Sequence, residues 1–411
     1  MTVIVTLVLA RVLGTAGFGI FSYAIAWAAL LAVPALLGLE QLIVRDVAAA
    51  GAQDEIGRVR GLIEWSVRAV ALVSVVCAVG GAGLLTLIGL VPAGGEVAFW
   101  VAMALVPLTA LARALQAAVR GLRHVVAGFL PELAVMPIGS LILVALGAVV
   151  LGRQFDAVAA VWAHVAAALA GLAAAGWLLA RRLSPQIRRA KPVLDRRTWF
   201  AAAMPLLMIS GMHVINRQTD VVMLGILEGV TAAGIFAVAA RGVQLILFVT
   251  YAVHAPLAPR VAALYATGDM DGLQRVTTAS ARVILGFSAA VACGFILFGP
   301  WLLGFFGDEF TAGAPALAIL SIGHLLGAAG GVAGLILLMT GHERAAAVGT
   351  GVGAAANVVL NALLIPMFGL AGAATATATA TALTALVHVL MVRRRLPINP
   401  LAFGPTRHRP A

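Results

Sequence analysis

The stretches RVLGTAGFGIFSYA, residues 11–24, and GVTAAGIFAVAA, residues 229–240, share one rhythm: Gly14, Gly19, Ile20 and Phe21 recur as Gly229, Gly234, Ile235 and Phe236. Each copy lies where one long apolar run ends and the next begins, at an offset of 215 residues (229 − 14). A second pair, Gly121 in RGLRH and Gly341 in TGHER, is offset by 220 (341 − 121). The recurrence reads as duplicated helix pairs, and so as two similar halves within a membrane.

Composition places the chain in that class independently. Hydrophobic residues make up 62% of it and charged residues 10%, far from the balance of a soluble domain. With about 20 residues per helical span and about ten per connection, a chain of 411 residues has room for about twelve to fourteen helices. The apolar runs predict helices near 2–12, 19–43, 66–90, 97–117, 128–151, 157–180, 200–226, 231–255, 280–304, 314–338, 345–365 and 370–392. The expected fold is therefore all-α and polytopic, with about twelve transmembrane helices. The first run has about half the length a crossing needs, so residues upstream of Met1 are expected to complete it. The run ATATATAT from Ala374 alternates like a strand, but an open strand in hydrocarbon would leave its backbone unpaired. It is expected to be helical, its small side chains suiting close packing.

A formal charge of +11 would suggest nucleic acid in a soluble protein. Here the cations fall in alternate connections and read as a topology signal, with no nucleic-acid partner expected. If the second, fourth, sixth, eighth and tenth connections and the C-terminal tail are cytoplasmic, they hold 4, 3, 7, 3, 1 and 5 Arg and Lys, or 23 of 27. Both termini are then cytoplasmic. The stretch RRLSPQIRRAKPVLDRRTW supplies the seven and divides the chain. The expected organisation is an N-terminal bundle at 1–185, a basic linker at 186–198, a C-terminal bundle at 199–392 and a tail at 393–411. The linker cations can also touch anionic lipid. Cys77 and Cys293 lie alone in apolar runs and read as packing residues.

Polar residues inside apolar runs are the candidate site. His213, Arg217 and Asp220 lie at i, i+4 and i+7 on one face, with Asn216 and Gln218 beside them. A charge near mid-bilayer costs about 3 kcal/mol on insertion scales and persists where it meets a partner or water. Arg241 and Gln244 form another one-face pair, and Glu40 with Gln41 interrupts the second helix. Guanidinium groups suit phosphate oxygens, because they donate paired hydrogen bonds in a fixed plane. Asp220 or Glu40 could bind a coupling H+ or Na+. The alternative for Arg217 and Asp220 is a structural ion pair. Glu132 reads as a helix-end acid, Arg11 as an outer headgroup anchor, and Asp308 and Glu309 as loop charges. His164, His254, His324 and His388 read as packing residues.

The opening RVLGTAGFGIFSYA with GLEQLIVRDVA, followed by INRQTDVVMLG (215–225), APLAPRVAALYATGD (255–269), FGDEFTAGAPALAIL (306–320) and NALLIPMFGLAGAA (361–374), resembles the oligosaccharide flippase family of polysaccharide-biosynthesis membrane proteins. That family shares a superfamily with multidrug exporters and the lipid II flippase. The resemblance implies two six-helix bundles around a central cavity open alternately to each side. It implies as substrate an undecaprenyl-pyrophosphate-linked oligosaccharide, moved across the bacterial inner membrane for O-antigen, capsule or exopolysaccharide. Arg217, Arg241, His213, Asn216 and Gln244 would then line the substrate path, and Asp220 or Glu40 would couple it to an ion gradient.

No covalent chemistry is expected, since the sequence has no phosphate-binding Gly loop, metal cluster or nucleophile-base pair in a sizeable loop. No cofactor is expected either, beyond the coupling ion. Partners would be the lipid-linked substrate, membrane lipids, and a polysaccharide polymerase with its assembly proteins. The competing readings are a cation-coupled multidrug exporter, which two cavity arginines oppose, and a membrane enzyme or scaffold of polysaccharide assembly.

Overall fold

A computed structural model describes residues 2–402, so Arg407 and Arg409 of the tail lie outside the described residues. The helices are α1 (Thr2–Leu36), α2 (Leu39–Ala52), α3 (Ile56–Leu87), α4 (Glu96–Met103), α5 (Leu105–Gly121), α6 (Val125–Leu130), α7 (Met136–Leu151) and α8 (Ala157–Arg182). They continue as α9 (Pro185–Arg189), α10 (Arg196–Leu227), α11 (Val230–Ala266), α12 (Met270–Gly304), α13 (Ala314–Ala329), α14 (Ala333–Met339) and α15 (Glu343–Arg395). A π-helical turn, Pro131–Val135, joins α6 to α7.

Ten helical stretches among the described residues are long and apolar enough to cross a membrane. Two of them contain a non-helical glycine, Gly14 in α1 and Gly369 in α15. Breaking both there turns the ten into the twelve apolar helices expected. Only helices can do this with such residues, because hydrocarbon offers the backbone no other partner. Leu72, Val76, Val149 and Leu297 stay exposed on the outer faces, as lipid-facing side chains do.

The duplication is written in the backbone. Gly14 and Gly229 both have positive φ, 67° and 92°. Asp54 and Gly268, 214 residues apart (268 − 54), have φ of 58° and 74°. Gly152 and Gly369, 217 apart (369 − 152), share φ 52° with ψ of −120° and −127°. The sequence pairing of Gly121 with Gly341 shifts by two residues. Gly341 (φ 77°) corresponds to Arg123 (φ 66°), an offset of 218 (341 − 123). The next residue closes the same cap in each half: His124 N–H donates to Val119 O at 3.2 Å, and His342 N–H to Leu337 O at 2.8 Å. Gly121 is helical and has a different task, admitting Val47 of α2 to within 2.8 Å of where a Cβ would stand.

The chain forms two compact units, Met1–Gly234 and Ile235–Ala411. In the first, α1 packs at glycines against α10 and against the start of α11. A methyl on Gly19 would overlap the Val230 carbonyl, and one on Gly234 would stand 2.8 Å from Gly19 Cα, so the two copies of the opening motif touch each other. Gly211 meets Val33, and Gly225 receives the ring of Tyr23, whose hydroxyl donates to Leu90 O at 2.7 Å. In the second unit the ATATATAT run is helical as expected. Gly323 and Gly327 of α13 and Gly330 at its end abut Ala378, Thr381 and Ala385 of α15, small residue against small residue.

Each unit also carries a docked strap. The linker lies on the start of α3, where Val193 N–H donates to Gly57 O at 2.9 Å. The segment after α15 lies on α12. There Gln274 Nε2 donates to Asn399 O at 2.9 Å, and Asn399 N–H donates back to Gln274 Oε1 at 2.7 Å.

A methyl at Gly19 has no room, whereas one at Gly80, inside α3, meets nothing within 4 Å. Gly19→Ala should therefore lower the thermal midpoint of detergent-purified protein, with an overpacking cost of about 1–3 kcal/mol. Gly80→Ala should leave it unchanged or raise it. A Gly19→Ala protein that unfolds no earlier than the parent would remove the glycine contact from this account.

Candidate functional site

The rotation of α10 decides which of its polar groups meet protein. Contacts at Gly211 and Gly225 turn Thr219, Asp220, Val221, Val222 and Leu224 inward. His213 and Arg217 are exposed, and Asn216 and Gln218 are half-buried. The expected single polar face thus divides along its length. Arg217 is open, while Asp220, one turn on, is 5% exposed and engaged with other groups of the protein. The cause is packing, since from Thr219 to Val222 α10 is buried and Gly225 takes the Tyr23 ring of α1, whereas His213, Ile215 and Arg217 just before stay exposed.

A cavity of about 50 Å³ lies beside this stretch within the first unit. Its walls are Val33 and Leu36 of α1, Gly38, Ser210 and Val214 of α10, Glu40 of α2 and Arg113 of α5. That volume suits one or two water molecules. Ser210, Val214 and Arg217 follow at i, i+4 and i+7, so Arg217 continues the helical row that walls the cavity.

Glu40 is not alone. Arg120 of α5 donates from Nη2 to Glu40 Oε1 at 2.8 Å, with the arginine side chain 12% exposed and the glutamate 31%. The guanidinium also lies 4.6 Å from the ring centre of Phe129. Gly128 makes room for it, because a methyl there would overlap Arg120 Cγ. Seven residues earlier on the same face of α5, Arg113 approaches Glu132 at 3.5 Å. Glu132 sits in the π-helical turn, which re-aims its side chain away from the regular helical row. Arg113 and Arg120 are two of the three cations that the sequence assigns to the fourth connection as a topology signal. Their i, i+7 spacing on one helix face was the available sign of a paired role.

In the second unit, Arg241 and Gln244 of α11 are half-buried, and Arg241 is engaged with other groups. The histidines take packing positions: His164 Nδ1 lies 3.1 Å from Ser140 Oγ, and His388 Nε2 lies 3.0 Å from Ala346 O. His388 occupies a slot made by Gly334 and Gly349. Cys77 is half-buried, whereas Cys293 is exposed on α12 and does not pack inside. Among the described residues no group of His, Cys, Asp and Glu could hold a metal ion.

The chain is similar over 96% of its length to 93% of a multidrug resistance MATE family transporter of the MOP superfamily in an inward-facing conformation, with a TM-score of 0.77 and 14% identity. It is similar over 95% of its length to 86% of the lipid II flippase MurJ in an inward closed conformation, with a TM-score of 0.72 and 12% identity. A MOP superfamily transporter from Pyrococcus furiosus matches 95% of this chain over 90% of its own, with a TM-score of 0.61 and 15% identity. These likenesses establish the fold. No curated protein sequence matches the chain. The family described as polysaccharide biosynthesis protein matches residues 1–264, which include α1, its duplicated counterpart at the start of α11, and the whole of α10. This multi-pass membrane protein belongs to the polysaccharide biosynthesis protein family.

Proposed function

We propose that the protein moves a lipid-linked oligosaccharide, carried on undecaprenyl pyrophosphate, from the cytoplasmic to the outer leaflet of a bacterial inner membrane by alternating access. The observation that carries this reading is the exposed guanidinium of Arg217 inside an apolar span of a polysaccharide-biosynthesis family member. An open arginine at that depth needs an anionic or aqueous partner, and a pyrophosphate head supplies two phosphates for it. Arg241, with His213, Asn216 and Gln244, would complete the polar path. The placement of 23 of 27 basic residues supports cytoplasmic termini. The work of transport would come from H+ or Na+ bound at Asp220 or Glu40, and no bond would be made or broken in the cargo. Delivery to a polymerase of O-antigen or exopolysaccharide assembly is the role this implies.

The two candidate acids have different settings, which separates them in experiment. Asp220 is buried in α10, whereas the Glu40 carboxylate is already held by Arg120, whose guanidinium competes with any cation for the same oxygens.

In proteoliposomes, a fluorescent lipid-linked oligosaccharide should exchange leaflets faster with the protein than without it, and Arg217→Ala should slow that exchange at least about tenfold, one lost charge-assisted contact being worth about 1.5–3 kcal/mol. Absence of acceleration, together with export of organic cations, would identify a multidrug exporter instead. In the same vesicles, Asp220→Asn should abolish stimulation by an imposed H+ or Na+ gradient while leaving protein abundance intact. Stimulation that survives there but disappears in Glu40→Gln would move the coupling site to Glu40. Double-mutant analysis of Glu40→Gln and Arg120→Gln should show a stability coupling of about 1–2 kcal/mol, within the range of side chains in direct contact. Additive effects would mean that the pair does not hold α2 to α5.

A further inference from the structure

Charge pairing in the first unit is uneven. Six of the seven arginines in the second and fourth connections have a carboxylate partner: Arg45 with Asp46, Arg58 with Glu55, Arg60 and Arg68 with Glu64, Arg113 with Glu132, and Arg120 with Glu40. The linker that follows α8 is different. Its seven cations between Arg181 and Arg197 are all exposed, and none of them forms a salt bridge among the described residues. The same stretch contains one acid, Asp195.

A topology signal requires only that the cations stay on one side, which a loose loop would satisfy. This loop is pinned. Arg60 donates to the carbonyls of Arg188 and of Ala190, the latter at 2.9 Å, and Gly57 O accepts from Val193 N–H at 2.9 Å. Gly61 is required beneath it, since a methyl there would overlap the Val193 carbonyl. Beyond it, the fully buried Trp199 packs against Trp65, ring centres 5.4 Å apart and planes tilted by 38°. The backbone polarity is spent on α3, and the cationic side chains are left facing outward.

Depth is fixed as well. The strap leaves α8 directly at the end of an apolar span and enters α10 at the start of another. Trp177, 54% exposed one turn before the end of α8, carries the Arg181 guanidinium 4.2 Å from its ring centre. An exposed tryptophan beneath an arginine marks the headgroup layer.

We propose that the linker strap is a binding surface for anionic glycerophospholipid headgroups, phosphatidylglycerol and cardiolipin in chemical class, held rigid so that several phosphates are engaged together. The inference is independent of the cargo proposed above, because it concerns the membrane's own lipids. Each surface cation strengthens association with an anionic leaflet about fivefold, so removing three should erase most of the preference.

Native mass spectrometry of the full chain, released from detergent with equal phosphatidylglycerol, cardiolipin and phosphatidylcholine, tests it. The parent protein should retain the anionic lipids at least about tenfold over phosphatidylcholine. The combined variant Arg188→Gln, Arg189→Gln, Lys191→Gln should lose most of that preference, with an unchanged thermal midpoint in lipid-free detergent. Undiminished anionic preference in this variant would overturn the proposal. So would retention of a polyprenyl pyrophosphate with no preference for phosphatidylglycerol or cardiolipin. Should the variant fail to fold, raising NaCl from 0.15 to 1 M on the parent replaces it. Loss of the preference supports the surface, and a salt-insensitive preference refutes it.

Discussion

The close approach of α10 to α1 is the constraint on which the first unit depends. Lipid gives no hydrophobic drive for one apolar helix to choose another, so contact must come from shape. Glycine supplies it at Gly211 and Gly225 of α10, where Val33 and the Tyr23 ring of α1 fill the space of a missing side chain, and Gly19 and Gly234 do the same between α1 and the start of α11. Because the Gly211 and Gly225 contacts lie on one side of α10, they also fix its rotation. Burial of Asp220 and exposure of Arg217 follow from the same contacts. The chemistry available to the chain is therefore decided by packing residues that have no chemistry of their own.

Electrostatics sorts the arginines into three kinds. Arg120 is almost enclosed, with a carboxylate, an aromatic face and a glycine-made slot, and serves to hold α5 against α2. Arg113 is looser, at 3.5 Å from a glutamate in a π-helical turn and on the wall of a small cavity. Arg217 and the linker cations are open. An arginine with all of its partners inside the protein has little left for a ligand. The open ones are where an anion from outside can act, and the buried pair is where the fold is held.

The long apolar runs were legible because a bilayer crossing demands about 20 consecutive apolar residues, which composition shows directly. What the runs could not show was where helices stop beyond the membrane. α3 begins at Ile56, ten residues before the apolar run, and α11 continues to Ala266. Their ends are set instead by the left-handed residues Asp54 and Gly268, which polarity does not reveal. The break at Leu37 and Gly38 was likewise hidden inside an apolar stretch. Of the site, the residues of α10 were legible as charges in the wrong solvent. Their separation into an open arginine and a buried aspartate was not, since it depends on which face α1 occupies. The partners of Glu40 and Glu132 were hidden by distance in sequence, 80 and 19 residues.

The two halves repeat their geometry but not their charge. Where the second half turns at Gly268 and Gly341, the first turns at Asp54 and Arg123 with nearly the same φ. A left-handed Asp or Arg is strained by about 1–2 kcal/mol relative to glycine, so the polar choice carries a cost that neutral duplication would avoid. The straps differ in the same sense. Arg60, a charged donor, holds the first, whereas Gln274, 214 residues on (274 − 60), holds the second through an amide. A duplicated scaffold supplies matched helices and matched turns, so the backbone at these turns is held in common while the charge on it differs between the copies.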